Sequence, residues 1–272
     1  MSVINTNVKS IVAQNALAEN SRSLSKAMEQ LSTGKRINTA ADDAAGLAIT
    51  DRMTAQIRAL NQSIRNANDA VSMMQTAEGA TKEISNMLQR MRELAVQAAN
   101  DSYGTEDRLA LQTENDQLKG EITRIAQNTQ WNGMSILKDD KTMTYQVGTQ
   151  GNADSSITVD FKAMDAATLT VESLQLNNNG NAQSAIGNLD AAIQTVDTYR
   201  ATLGAKINRM TSAADNLSNV AMNTSASRSR ILDTDYAQAT TELARSQIIQ
   251  QAATAMLAQA NQQPQAVLSL LK

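Results

Sequence analysis

The sequence predicts a mainly α-helical fold, a long antiparallel helical coiled-coil rod with a small β-hairpin region. Its 272 residues include only six aromatic side chains, which is few for a single large compact core. They include one proline, so few helices are interrupted. Apolar residues also recur in steps of three and four over two long stretches, which is the spacing of a helical seam.

The first half of the chain predicts three helices. A helix is expected over residues 1–34, ended by Gly34, and a polar connector over 35–45. A regular seam then runs from Met53 to Ala98, and a run of turn-forming residues follows it. A further helix is expected over about residues 105–129.

The middle of the chain, residues 130–176, predicts β-hairpins. Asn132-Gly133 is a strong turn signal, and residues 144–147 and 157–161 alternate apolar with polar side chains. Residues 169–172 predict a weaker strand. The asparagine-rich run 177–181 predicts a polar turn that closes this region.

A second seam, from Ile186 to Thr224, has a length similar to that of the first, and a final helix runs to the terminus. Two long helices of equal reach bury their seams most easily against each other, antiparallel, which brings the two chain ends together. We therefore expect residues 1–34 and 233–272 to form one helical domain, joined through the connector 35–45 to a rod. The rod comprises residues 46–176, with the hairpins, and 177–232.

The composition argues against several classes of function. A net charge of −3 of mixed sign gives no basic stripe for nucleic acid. The chain has neither cysteine nor histidine, so thiolate chemistry and the commonest general base are missing, and we expect no enzyme and no cofactor. The adjacent Asp42 and Asp43 indicate the start of a helix more readily than a metal site. No apolar run is long enough to predict membrane insertion, and the first ten residues do not resemble a cleavable secretory signal.

The tail poses a different problem. No charged residue lies between Arg245 and Lys272, and apolar side chains recur at more positions than one partner helix covers. An apolar surface of this kind usually marks an interaction site, so we expect the chain ends to be completed by other subunits. The expected assembly residues are Ile4, Val8, Ile11, Leu24, Leu31, Ile249, Met256, Leu257, Val267, Leu268 and Leu271.

Several sequence motifs, in this order, resemble those of bacterial flagellin, and the resemblance covers nearly the whole chain. They are VINTNVKSIVAQNAL near the start, LSTGKRINTAADDAAGLAI at 31–49, LQRMRELAVQAAN at 88–100, NTQWNGMSIL at 128–137 and a tail ending in VLSLL. Trp131 departs from the family, where phenylalanine is more frequent, and we expect only a change in packing.

The resemblance implies an extracellular filament subunit for swimming motility, with the terminal helices in an inner coiled coil. Only about 45 residues separate the helical halves, so the large variable domains of many members are expected to be absent. Export is expected to proceed unfolded through the flagellar type III apparatus, without a cleavable signal. The implied partners are copies of the chain, an export chaperone on residues 237–272, and the filament cap and hook-junction proteins.

The resemblance also implies recognition of the monomer by the host Toll-like receptor for flagellin. The matching positions are Gln89, Arg90, Glu93, Leu94, Gln97 and Glu114. An ordinary amphipathic helix explains the same pattern, with Leu94 at the edge of the seam and the polar residues of this helix pointing away from it. We expect this surface to contact neighbouring subunits as well as the receptor.

Other interpretations stay open at this point. A hook–filament junction protein shares the helical ends, and a surface module that binds glycans or receptors is a rival of another class. In the connector, Lys35 and Arg36 are expected to pair with acidic residues of an adjacent subunit. Asp42 or Asp43 is expected to take part in contacts between subunits that acid would break.

Overall fold

The computed structural model describes residues 6–270, and their side chains up to residue 262. The predicted class, mainly α with a small β-hairpin region, is confirmed. The helices are α1 (Val8–Thr33), α2 (Ala44–Ala98), α3 (Thr105–Asn128), α4 (Asn179–Leu232) and α5 (Tyr236–Leu270). The strands are β1 (Gln130–Trp131), β2 (Met134–Ser135), β3 (Lys141–Gln146) and β4 (Ser156–Phe161), and a short 3₁₀ helix covers Ala153–Ser155. None of the helices in the described ranges has the length and hydrophobicity that a membrane span needs.

The chain divides into two compact units. The terminal unit combines the described residues up to Ile57 with those from Asn223 onward, and the central unit is Arg58–Met222. The division falls inside α2 and α4, so each long helix contributes to both units. The domain boundaries expected from the sequence stay a prediction.

In the terminal unit, α1 and α5 pack antiparallel. The Asn7 side chain donates a hydrogen bond to the Ala260 carbonyl at 2.8 Å, and the Asn20 side chain donates one to the Ser246 carbonyl at 2.8 Å. Gly34 ends α1 as predicted, with a φ of 70° and its amide bonded to the Gln30 carbonyl. This left-handed conformation favours glycine.

In the central unit, α2, α3, α4 and the hairpins share one apolar core. The helices α2 and α4 run antiparallel, because Arg92 pairs with Asp190 and Arg200 lies near Glu78. The second half of the first predicted seam is buried throughout. Its residues are Thr81, Ile84, Leu88, Met91, Ala95 and Ala98.

The first hairpin forms where the turn signal placed it. Asn132 and Gly133 have φ angles of 48° and 77°, as a tight two-residue hairpin turn requires. The second hairpin pairs β3 with β4, with Met143 opposite Val159 and Tyr145 opposite Ile157. These residues lie on one face of the hairpin and pack against the shared core.

The predicted strand at 169–172 is wrong. These residues form a compact turn, in which the Val171 amide donates to the Ala166 carbonyl and the Leu169 amide to the Asp165 carbonyl. Leu169 and Val171 are both buried, so the alternation that indicated a strand arises from a turn inserting two side chains into the core. The helix α4 begins at Asn179, inside the expected polar turn 177–181.

Candidate assembly surfaces

The seam between α1 and α5 is built largely from small and polar residues. Buried positions on it are Ser10, Asn20 and Ala27 from α1, and Ala239 and Ser246 from α5. Half-buried residues fill the intervening positions of the same three-four spacing, at Ala13, Leu17, Leu24, Leu31, Leu243, Gln250, Ala253, Leu257 and Ala260. The pairing therefore buries little apolar area, and a helix pair of this kind is marginal in water.

Apart from the half-buried leucines, the large apolar side chains of these helices lie beside the seam. Val8 is 57% exposed and Met256 66%, and Ile11, Val12, Met28, Ile248 and Ile249 are exposed as well. Near the start of α1, Val8, Val12 and Met256 line an open groove of about 810 Å³. We call these exposed side chains the flanks of α1 and α5. Full burial of one such side chain contributes roughly 1.5–3 kcal/mol, so their burial between subunits would strongly favour association.

The expected assembly residues therefore fall into two groups. Val8, Ile11, Ile249 and Met256 lie on the exposed flanks, whereas Leu24, Leu31 and Leu257 are half-buried in the seam. Ile4 and Leu271 lie outside the described residues, as do the side chains of Val267 and Leu268.

The connector forms a clasp, defined here as residues 34–37 with residues 231–234. The Arg36 amide donates to the Leu232 carbonyl and its guanidinium to the Ile231 carbonyl, each at 2.7 Å. The Thr234 amide donates to the Gly34 carbonyl at 3.0 Å. Arg36 thus satisfies carbonyls at the C-terminus of α4, where a positive charge is favourable. The expectation that it pairs with another subunit missed this bond within the chain.

The two connector aspartates have separate roles. Asp42 forms an ion pair with Lys26 on α1 at 2.8 Å and accepts the amide protons of Asn38 and Thr39. The hydrogen bond from Lys26, followed by those from Thr39 and Asn38, holds the pKa of Asp42 well below its usual range. Asp43 accepts the Gly46 amide at 2.8 Å, which places its charge at the N-terminus of α2.

On the central unit, Arg90 joins α2 to α3. Its guanidinium contacts Glu114 at 2.8 Å and Glu93 at 2.9 Å, and the hydrogen bond to Glu114, then that to Glu93, raises the pKa of Arg90. Gln89 is exposed, and exposed Gln97 donates to the Tyr103 hydroxyl at 3.1 Å. Gln89, Arg90, Glu93, Gln97 and Glu114 therefore present a polar surface.

Leu94 departs from its expected place at the edge of the seam. It is 1% exposed and belongs to the core of the central unit. The physical reason is α3, which packs beside α2 and covers the stripe next to the seam. The expectation assumed a single partner helix for α2 and therefore left this side chain at an edge.

Sequence reasoning also missed the polar residues that position the helices. Arg108 on α3 caps the C-terminus of α2 by donating to the Ala98 and Asn100 carbonyls, and Arg92 pairs with Asp190 across α2 and α4. Asn20 and Ser246 occupy seam positions. Their place in the three-four spacing was a usable signal, but counting only apolar residues concealed it.

Comparison with known protein families identifies the family of this chain. Residues 4–142 match the family model of the bacterial flagellin N-terminal helical region. Residues 186–271 match that of the bacterial flagellin C-terminal helical region, so the two matches cover most of the chain. The chain belongs to the bacterial flagellin family.

Whole-length relatives agree. A flagellin of Halalkalibacterium halodurans is 44% identical over 272 residues, with 99% of this chain and 100% of that protein covered. The flagellar filament 33 kDa core protein of Treponema phagedenis is 41% identical over 287 residues, with the same coverage. Between α3 and α4 the described residues form only short hairpins and turns, so this flagellin is a short form of the family.

A structural neighbour shares the fold. A putative flagellar hook-associated protein from Vibrio parahaemolyticus has a TM-score of 0.59, with 71% of this chain and all of that chain covered. At 13% identity this likeness concerns the fold alone. The names of the whole-length relatives favour a filament subunit over the junction protein and the glycan-binding module.

Flagellin is a structural protein that polymerises into the flagellar filament, which lies outside the cell. Its function therefore depends on surfaces between subunits. In this chain the exposed flanks of α1 and α5 and the polar surface around Arg90 are the candidates.

Proposed function

We propose that this flagellin polymerises mainly through the exposed flanks of α1 and α5, which pack against the same helices of other subunits. The observation that supports this most is the distribution of apolar side chains in the terminal unit. The fully buried positions of its seam are small or polar, the seam leucines are only half-buried, and the valine, isoleucine and methionine side chains beside the seam are exposed. Assembly removes those side chains from water, and it completes a helix pair that is marginal by itself.

The test compares two methionines of equal exposure. Met256 on α5 is 66% exposed and Met222 in the central unit is 65% exposed. Glutamine preserves helix propensity and removes most of the apolar driving force at either position. Met256→Gln should raise the critical concentration for polymerisation about tenfold, measured by sedimentation and electron microscopy, and Met222→Gln should change it less. Equal effects would contradict a dominant role for the terminal flanks.

A second proposal concerns the route to the filament. We propose that residues 237–272 bind a flagellar export chaperone before the chain leaves unfolded through the type III apparatus without a cleavable signal. The exposed Ile248, Ile249 and Met256 support this, because an uncovered apolar helix favours aggregation. Calorimetric titration with the chaperone of the same bacterium should show submicromolar binding, which truncation after Tyr236 abolishes. Unchanged affinity after truncation would contradict it.

A third proposal concerns host recognition. We propose that the monomer binds the Toll-like receptor for flagellin through the surface of Gln89, Arg90, Glu93, Gln97 and Glu114. The exposure of these side chains and the fixed geometry of Arg90 support it. Buried Leu94 then contributes indirectly, by stabilising the packing of α2 on α3.

Receptor-reporter cells test this proposal. Arg90→Ala should lower the response to nanomolar monomer at least tenfold. Arg124→Ala serves as a matched control, because Arg124 is also exposed and paired with a glutamate, Glu121. Equal responses from wild type and Arg90→Ala, or equal losses from both variants, would contradict the proposal. The filament cap and hook-junction proteins are proposed as further partners that meet the subunit at the filament ends.

A further inference from the structure

The segment of the central unit that leads into α4 crosses α3, and we define residues 169–176 as the strap. Val171 and Leu176 are completely buried and Leu174 is nearly so. Two side chains of α3 hold its main chain. The Leu176 amide donates to the Gln112 side chain, and Lys119 donates to the Leu174 carbonyl at 2.6 Å.

Asn115 lies on the same face of α3, three residues after Gln112 and four before Lys119. It is 0% exposed. Neither its side-chain oxygen nor its side-chain nitrogen has a hydrogen-bond partner among the residues that the structure describes. A buried amide without partners lowers stability, because in the open state it bonds to water.

Backbone strain at Thr170 destabilises the closed strap independently of Asn115. Thr170 has a φ of 58°, and a β-branched residue rarely adopts this left-handed conformation. The turn holds it there through bonds from the Thr170 amide to the Ala167 carbonyl and from the Val171 amide to the Ala166 carbonyl. When the turn opens, Thr170 returns to an ordinary conformation and the strain is released.

We infer that the strap and α3 form the segment of the central unit that opens first. Both costs are relieved by the same movement, since lifting the strap lets water reach Asn115 and frees Thr170. Four buried apolar side chains, those of Leu169, Val171, Leu174 and Leu176, and two side-chain bonds oppose it. Among the described residues, α2 and α4 have no positive φ, and their one buried polar atom without a partner, Nε of Arg200, belongs to a guanidinium that is paired with Glu78 and Asp197. We therefore expect their seams to remain closed while the strap opens.

Hydrogen exchange with mass spectrometry on the full-length monomer tests the inference. In wild type, peptides from α3 and the strap should exchange at least about tenfold faster than peptides around Leu88 and Val196. Asn115→Leu should slow exchange in α3 and the strap about tenfold, because no buried amide remains unpaired. Thr170→Gly should slow it about threefold, because relief of strain is partly offset by the freedom of glycine in the open state.

Thr168→Gly is the matched control, since Thr168 is exposed and its φ is not positive. It should leave exchange unchanged or speed it. If both Asn115→Leu and Thr170→Gly left exchange in the strap unchanged, or if wild-type α3 were as protected as α2, the inference would be overturned. Faster exchange in Asn115→Leu would also overturn it, since it would mean that Asn115 stabilises the closed strap.

Discussion

The two units of this flagellin use the same three-four spacing with side chains of different size. In the central unit the seam of α2 buries Ile84, Leu88 and Met91 completely. In the terminal unit the fully buried positions are small or polar, such as Asn20 and Ser246, while the leucines of the seam are only half-buried and other large apolar residues lie exposed beside it. The period decides which residues face the partner helix. The size of those residues decides whether the pair is stable alone or depends on other subunits.

We expect the largest effect from removing one helix of the α1–α5 pair. Deleting about 40 residues, from Asp233 to the C-terminus, should abolish polymerisation. The central unit should stay folded, because its core includes none of the deleted residues. Electron microscopy checks the first result and circular dichroism of the monomer the second. Ordinary filaments from the truncated chain would contradict the account.

A pair of alanine substitutions measures the difference in burial. Leu88→Ala should lower the free energy of unfolding of the monomer by about 2–5 kcal/mol, because it leaves a cavity in a closed core. Val12→Ala should lower it by less than about 0.5 kcal/mol, since Val12 is exposed in the monomer. Denaturant titration followed by circular dichroism checks both values. Similar losses of unfolding free energy in both variants would mean that the flanks of α1 and α5 are already buried in the monomer.

A larger apolar side chain at a buried polar position of the terminal seam should stabilise the monomer. Asn20→Leu should stabilise the α1–α5 pair of the monomer by about 1–2 kcal/mol, since a polar residue at a seam position costs stability. It should also weaken control of the helix register, because Asn20 bonds to the Ser246 carbonyl. Hydrogen exchange of α1 peptides checks the gain, with Glu19→Gln as an exposed neighbouring control. Reduced protection would show that the Asn20 bond outweighs the apolar gain.

The smallest expected effect concerns pH. The pKa of Asp42 lies below its ordinary value of 3.8 because Lys26, then Thr39 and Asn38, hydrogen-bond its charged form. A lowered pKa contributes stability above the unfolded value, and this contribution is lost as pH falls through the folded value. Asp42→Asn should therefore speed amide hydrogen exchange in the connector at pH 7. The difference in exchange rate between the variant and wild type should shrink as the pH falls below about 4. A difference that grows on acidification would contradict the pairing with Lys26.

Much of the fold followed from the sequence because helices, turns and seams are local patterns. Gly34, the Asn132-Gly133 turn and the buried stripe from Thr81 to Ala98 all lie where local rules placed them. Local rules misplaced Leu94 and residues 169–172. The burial of Leu94 depends on α3, and that of residues 169–172 depends on a turn folded into the core. The clasp was also beyond local rules, because it joins Arg36 to carbonyls almost 200 positions away in the chain.

Hydrogen exchange of the whole chain, compared between monomer and filament, measures whether α1 and α5 depend on other subunits. We expect amides of α1 and α5 to exchange much faster in the monomer than those of α2 around Leu88. Polymerisation should protect α1 and α5 by at least about a hundredfold while changing exchange in the central core little. Monomeric α1 and α5 that are already as protected as α2, with no gain on assembly, would contradict this dependence.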